Sequence, residues 1–156
     1  MSENKPTPGV IVLLASGTVV FIASFLHWFS ESGRTANAWS KGFRFLTTLP
    51  VVISVVIIVM VVLATFSGAK LPTSFGGLST MQLVLVLSVW AALMMLCFLV
   101  GQAGVTVRGV TSGFNKSIGF WLALLGTIGM VFGAVLSLLQ PAAPAPPPLP
   151  PPPLAQ

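Results

Sequence analysis

The sequence predicts an all-α polytopic membrane protein, with four transmembrane helices in an antiparallel bundle and a disordered or polyproline II C-terminal tail. Three observations predict it. Hydrophobic residues make up 55% and charged residues 6% of the 156 positions, whereas a soluble domain is about 25% charged. Four apolar runs each approach or exceed the roughly 20 helical residues that a bilayer's hydrocarbon core requires. From residue 140 on the chain is uncharged and no longer a continuous apolar run, and nine of the thirteen prolines fall in QPAAPAPPPLPPPPLAQ.

A short polar N-terminus, 1–9, leads into the first span, 10–29, VIVLLASGTVVFIASFLHWF. A secretory signal has an apolar stretch of only about 7–15 residues, so this longer run is expected to remain as a span. The second span covers 45–66, with Pro50 near its start, where a missing amide hydrogen costs least. The third covers 81–100 and contains Cys97, and the fourth covers 117–139. Helices are expected throughout, because inside lipid each segment must satisfy its own backbone hydrogen bonds. Transmembrane strands would be about half as long and would alternate. The links SESGRTANAWSKGFR, SGAKLPTSFGGLST and GQAGVTVRGVTSGFNK are too short to fold as domains, and short links favour antiparallel neighbours.

The tail, 140–156, is expected to extend by about 3.1 Å per residue, as polyproline II does. Its LPPPP segment (Leu149, Pro150, Pro151, Pro152, Pro153) and overlapping PxxP registers suit an aromatic-lined groove on a partner. A plain spacer has the same composition.

The net charge of +5 comes from seven Lys and Arg against two acids, Glu3 and Glu31. These cations are scattered among short loops, which argues against nucleic acid as a partner. Arg34, Lys41, Arg44, Arg108 and Lys116 lie in or beside the first and third loops, and Lys5 and Lys70 lie on the other side. Cytoplasmic flanks collect basic residues, so the count favours termini outside, both on one face of a plasma membrane.

His27 is the one ionisable side chain other than Cys97 placed inside a span. A titratable group at membrane depth suggests a proton relay or ligand. At the end of a span, beside Trp28 and Phe29, it equally marks the interface where amphipathic rings settle. Trp39, Phe43 and Phe45 repeat the aromatic signal on the same side. Together these residues make either an interfacial belt or a cap folded over the bundle end. The fourth span carries Gly119, Gly126 and Gly133 at seven-residue spacing, with Ala123 and Gly129 between them. Such a small-residue stripe lets a second helix approach closely, from this chain or another.

No span contains a carboxylate of the kind a proton-coupled exporter needs. A single cysteine permits no intramolecular disulfide or CxxC pair, and no cluster of Asp, Glu, His and Cys suggests hydrolytic or metal chemistry. The residues therefore point to a non-enzyme with no cofactor and no metal. A passive pore lined by hydroxyls such as those of Thr18 and Ser88 needs no charge.

The segments SFLHWFS, NAWSKGF and KLP resemble those of a group of small four-helix integral membrane proteins of actinobacteria, with an FLPW-aromatic motif and an NAW-like segment. Trp28 and Trp39 match that pattern, and His27 stands where the group has proline. The resemblance implies the four-helix fold, a membrane location and a first loop outside, opposite to the charge count; it implies no activity. The partners expected are the lipid bilayer and another membrane protein or a second copy of the chain. The expected role is that of an accessory or assembly subunit of a larger membrane or envelope complex. A small transporter or channel and a self-associating structural tetraspan are the competing readings.

Overall fold

A computed structural model describes residues 6–31, 34–40, 44–66, 77–100, 104–107, 110–113 and 115–140. The tail segment Leu149 to Pro153 and Phe43 lie outside the described residues. Four helices run in chain order: α1 (Pro8–Ala23), α2 (Arg44–Phe66), α3 (Thr80–Val100) and α4 (Ile118–Leu139). Two short strands, β1 (Phe29–Glu31) and β2 (Arg34–Ala36), lie between α1 and α2. Three more, β3 (Gly104–Val107), β4 (Val110–Gly113) and β5 (Asn115–Lys116), lie between α3 and α4. Helices α2, α3 and α4 are long and apolar enough to cross a membrane, with mean hydropathies of 3.0, 2.8 and 2.3.

The helices form a closed ring in which α1 touches α2, α2 touches α3, α3 touches α4 and α4 returns to α1, the last pair making the largest interface. Two apolar clusters fill the interior. The cluster nearer the sheets contains Ala23, Trp28, Val51, Met95 and Phe120. The other, toward the ends where α1 begins and α4 stops, contains Val10, Leu13, Ile57, Val61, Val84 and Met130. Ser54, Ser88 and Thr127 are buried, and each donates its hydroxyl hydrogen to its own helix, at Pro50 O (2.8 Å), Val84 O (2.8 Å) and Leu124 O (2.9 Å). Such back-bonding satisfies a buried hydroxyl without a partner on another helix.

Local chemistry starts two of the helices. Pro8 opens α1, where its missing N–H is one of the orphans anyway. Ser79 and Gln82 make a capping box before α3: Gln82 N–H donates to Ser79 Oγ at 3.3 Å, and Ser79 N–H to Gln82 Oε1 at 2.8 Å. The STMQ tetrad spells out this box in sequence, a signal not used in placing the third span.

The structure shortens the first span. The run 10–29 was expected to be one helix, yet α1 spans 16 residues and ends at Ala23. Its last carbonyls are taken up by a turn. Ser24 N–H donates to Val20 O at 3.0 Å, Phe25 N–H to Ile22 O at 3.2 Å and Leu26 N–H to Ala23 O at 3.1 Å. Ser24 Oγ donates to Phe21 O at 2.7 Å. With these orphan acceptors satisfied, the chain leaves the helix and Phe29 enters a strand.

The all-α expectation also gives way locally. The chain is mostly helical, but β1 pairs antiparallel with both β2 and β5, giving the order β2-β1-β5, and β3 pairs with β4. Phe29 lies opposite Ala36 on one side and Lys116 on the other. The first and third loops, each too short for a domain, thus build one small sheet together.

Candidate functional site

The residues singled out for chemistry converge on this sheet and on the α1–α4 seam. Trp28 is 0% exposed. Its indole N–H donates to Ala23 O at 2.8 Å, so the ring folds back under the end of the helix it follows. Its edge meets the ring of Phe120 at 6.3 Å and an interplanar angle of 82°; such edge-to-face pairs add about 0.5–1.5 kcal/mol beyond area burial. Phe29 is buried beside Phe120 as well.

The backbone of the same segment ties α1 to α4. Trp28 N–H donates to Ala36 O at 2.8 Å, Ser117 N–H to Trp28 O at 2.8 Å and Gly119 N–H to His27 O at 3.0 Å. Two of the amides at the start of α4 are thus satisfied by the turn that ends α1, which substitutes for a side-chain cap at Ser117. The His27 side chain is exposed, at the end of α1 and outside the bundle interior.

Trp39 is placed by a turn that its own tetrapeptide encodes. In NAWS, Ser40 N–H donates to Asn37 O at 3.2 Å and Trp39 N–H to Asn37 Oδ1 at 3.1 Å, an Asx-supported turn. The turn is fastened to α2 by the hydroxyls of Thr47 and Thr48, which donate to Ala38 O at 2.8 and 3.0 Å. Trp39 then lies over Phe25, with ring centroids 6.2 Å apart and planes 30° from parallel. Its indole N–H donates to Ser24 Oγ at 3.2 Å. His27, Trp28, Phe29 and Trp39 therefore share one end of the bundle but not one environment: Trp28 and Phe29 are core, and His27 and Trp39 are rim.

On the third side, Lys116 Nζ donates to Leu99 O at 3.0 Å. A cation here meets an orphan carbonyl in the last turn of α3, where the helix dipole favours positive charge. This contact ties α3 to the sheet.

The glycine stripe of α4 lies against α1 in antiparallel register. A Cβ on Gly133 would stand 2.7 Å from Leu13 N, one on Gly126 2.6 Å from Val20 Cγ2 and 3.0 Å from Ser16 O, and one on Gly119 2.7 Å from His27 O. Across the seam, a Cβ on Gly9 of α1 would stand 2.6 Å from Ser137 N. Ala123 is fully buried in the same cluster as Trp28. Gly129 faces only the side chain of Ser16. The close approach that the stripe permits is used within the chain.

Outside the seam, a shallow apolar groove of about 420 Å³ runs between α3 and α4, lined by Ala92, Leu93, Leu96, Ile128, Phe132 and neighbours. A second of about 400 Å³ continues past Leu96 to Cys97 and Val100. Among the described residues, no three of His, Cys, Asp and Glu are grouped so as to hold a metal ion. The sequence reading missed Ser24, whose hydroxyl accepts from the distant Trp39 indole, and Ser117 and Lys116, which donate to backbone carbonyls far away in the chain. No protein-family model matches the chain, and neither does any curated protein or solved structure.

Proposed function

We propose that the chain is a multi-pass protein of the plasma membrane with a non-catalytic role, as an accessory or assembly subunit of a larger membrane or envelope complex. The observation that carries the membrane reading is the outer surface. Val52, Val56, Val59 and Leu63 on α2, Val86, Trp90 and Leu93 on α3, and Leu125, Ile128 and Phe132 on α4 are all exposed. In water a contiguous apolar surface of this extent would drive association; in lipid it costs nothing.

The subunit role draws support from how the polar groups are spent. The buried hydroxyls of Ser54, Ser88 and Thr127 are engaged within their own helices, and His27 lies outside the bundle. Both favour a packed scaffold over a solute path. Since α1 covers the glycine stripe, a partner would meet the face of the sheet turned away from the bundle or, by its sequence, the proline-rich segment. Crosslinking in cells followed by mild-detergent co-purification, with a chain ending at Gln140 for comparison, tests this. A partner at near-equal stoichiometry is expected, and its loss on truncation would assign the tail as the handle. Recovery of the protein alone from both samples would end the subunit reading.

The same reading gives an orientation. Helix α1 begins beside the end of α4, as Gly9 against Ser137 shows. By sequence, Arg34, Lys41, Arg44, Arg108 and Lys116 fall in or beside the first and third loops, the loops that supply the strands β1, β2 and β5 of the three-stranded sheet. Basic flanks favour the cytoplasm, which places the sheet inside the cell. A cysteine at exposed Thr35, in a Cys97→Ser background, should react with a membrane-impermeant maleimide only after permeabilisation. Labelling of intact cells would reverse the assignment.

A further inference from the structure

We infer that the apolar belt is completed on the α1 side by a non-helical patch, Phe25, Leu26 and Trp39, immersed among lipid acyl chains. The inference rests on the membrane reading above and concerns how the chain meets the bilayer. At 1.5 Å per residue the 16 residues of α1 span about 24 Å. The hydrocarbon core is about 30 Å thick. The 21 to 23 residues of α2, α3 and α4 span about 32–35 Å by the same rise. One side of the bundle is therefore short by about 6 Å of helix, at the end where the sheet begins.

What fills that shortfall is apolar and exposed. Phe25 is 59% exposed, Leu26 36% and Trp39 40%, and they continue the outward stripe of Ile11, Val19 and Ile22 on α1. Phe21, Phe25 and Trp39 form a ladder, the first pair edge-on at 5.3 Å and the second stacked.

Two features fit this patch to hydrocarbon rather than to water. Non-helical backbone at membrane depth is tolerated only where its polar groups are satisfied by protein. Here the N–H groups of Ser24, Phe25, Leu26 and Trp28 and the carbonyls of His27 and Trp28 are bonded; among the described residues the carbonyls of Ser24, Phe25 and Leu26 have no such bond, which keeps the patch close to the headgroups rather than deep in the core. A tryptophan in the interfacial belt ordinarily points its N–H to the wet side. The N–H of Trp39 is instead bonded to Ser24 Oγ, so the ring loses no hydrogen bond by sinking below the headgroups. The hydrocarbon boundary then falls near His27, beyond the helix end.

Spin labels on the protein reconstituted in phosphatidylcholine vesicles test this, in a Cys97→Ser background with single cysteines at Phe25, at Leu93 in mid-α3 and at Thr35 on β2. The Phe25→Cys label is expected on the lipid side with Leu93→Cys, shallower than it, its ratio of collisions with oxygen to those with a water-soluble nickel chelate exceeding the Thr35→Cys ratio several-fold. A Phe25→Cys label that matches Thr35→Cys while Leu93→Cys reads as buried in lipid overturns the inference and spares the membrane reading. If Leu93→Cys also reads as aqueous, both fall. A second readout leaves Phe25 in place: Trp39 emission, taken as the difference between the protein and Trp39→Phe, should be quenched by chain-brominated lipid and spared by iodide. The opposite pattern overturns the inference.

Discussion

Replacing Trp28 with alanine is expected to destabilise the protein by about 3–5 kcal/mol, the range for truncating a large buried aromatic side chain. The loss has three parts. The side chain is 0% exposed, so its removal leaves a cavity between α1, the sheet and α4. It pairs edge-on with Phe120, and its indole N–H is one of two donors to Ala23 O, the other being Leu26 N–H. Trp39→Ala makes the informative comparison, because that ring is 40% exposed and its removal opens no cavity. Unfolding in mixed detergent micelles, followed by circular dichroism, should give a large shift for Trp28→Ala and about 1 kcal/mol or less for Trp39→Ala, the scale of one net hydrogen bond. Equal shifts would mean that the cap has no core. Trp28→Phe should fall between them.

The second large effect is expected at Gly133. A side chain there meets backbone, with Leu13 N at 2.7 Å and Leu13 Cα at 2.9 Å from the new Cβ. Neither helix can yield without opening the seam between them. Overpacking a core costs about 1–3 kcal/mol, occasionally more, and Gly133→Leu is expected at or beyond the top of that range. Gly129→Ala, four residues earlier on the same helix, meets only the Ser16 side chain, whose hydroxyl can turn away while its Cβ stays 3.1 Å from the new methyl. It is therefore expected to cost far less than Gly133→Leu. Unfolding in mixed detergent micelles reads both substitutions: Gly133→Leu should shift the transition strongly and Gly129→Ala much less. Equal shifts would show that the glycines do not set the helix separation.

The contrast between these two glycines also shows what the sequence could and could not disclose. Spacing placed Gly119, Gly126, Gly129 and Gly133 on one helix as small residues suited to close packing, but GxxxG gives Gly129 and Gly133 equal weight. Only the position of α1 distinguishes them. Helix limits were legible where apolar length and the end of the element coincide: 45–66 against Arg44–Phe66, 81–100 against Thr80–Val100 and 117–139 against Ile118–Leu139. They coincide because an isolated apolar run must satisfy its backbone internally.

At the end of α1 the two part company. The run stays apolar through Phe29, yet its backbone is satisfied by Ala36, Ser117 and Gly119, which lie well beyond any local window. The strands were illegible for a related reason. FSE, RTA and NK are too short to show alternation, and their pairing depends on two loops being held at the same end of the bundle. The burial of Trp28 beside the exposure of His27 follows from that pairing.

The closure of α1 on α4 has a consequence for how the chain is made. Of the four helices α1 is made first and α4 last, and contacts between such remote segments must meet their loop-closure entropy before they reward it. Until residues 117–119 exist, the carbonyls of His27 and Trp28 lack their partners, β1 lacks one neighbour, and the α1 face that will meet Gly126 and Gly133 stays uncovered. The bundle is thus closed in one late step, and a nascent chain that stops after α3 carries an open seam along α1.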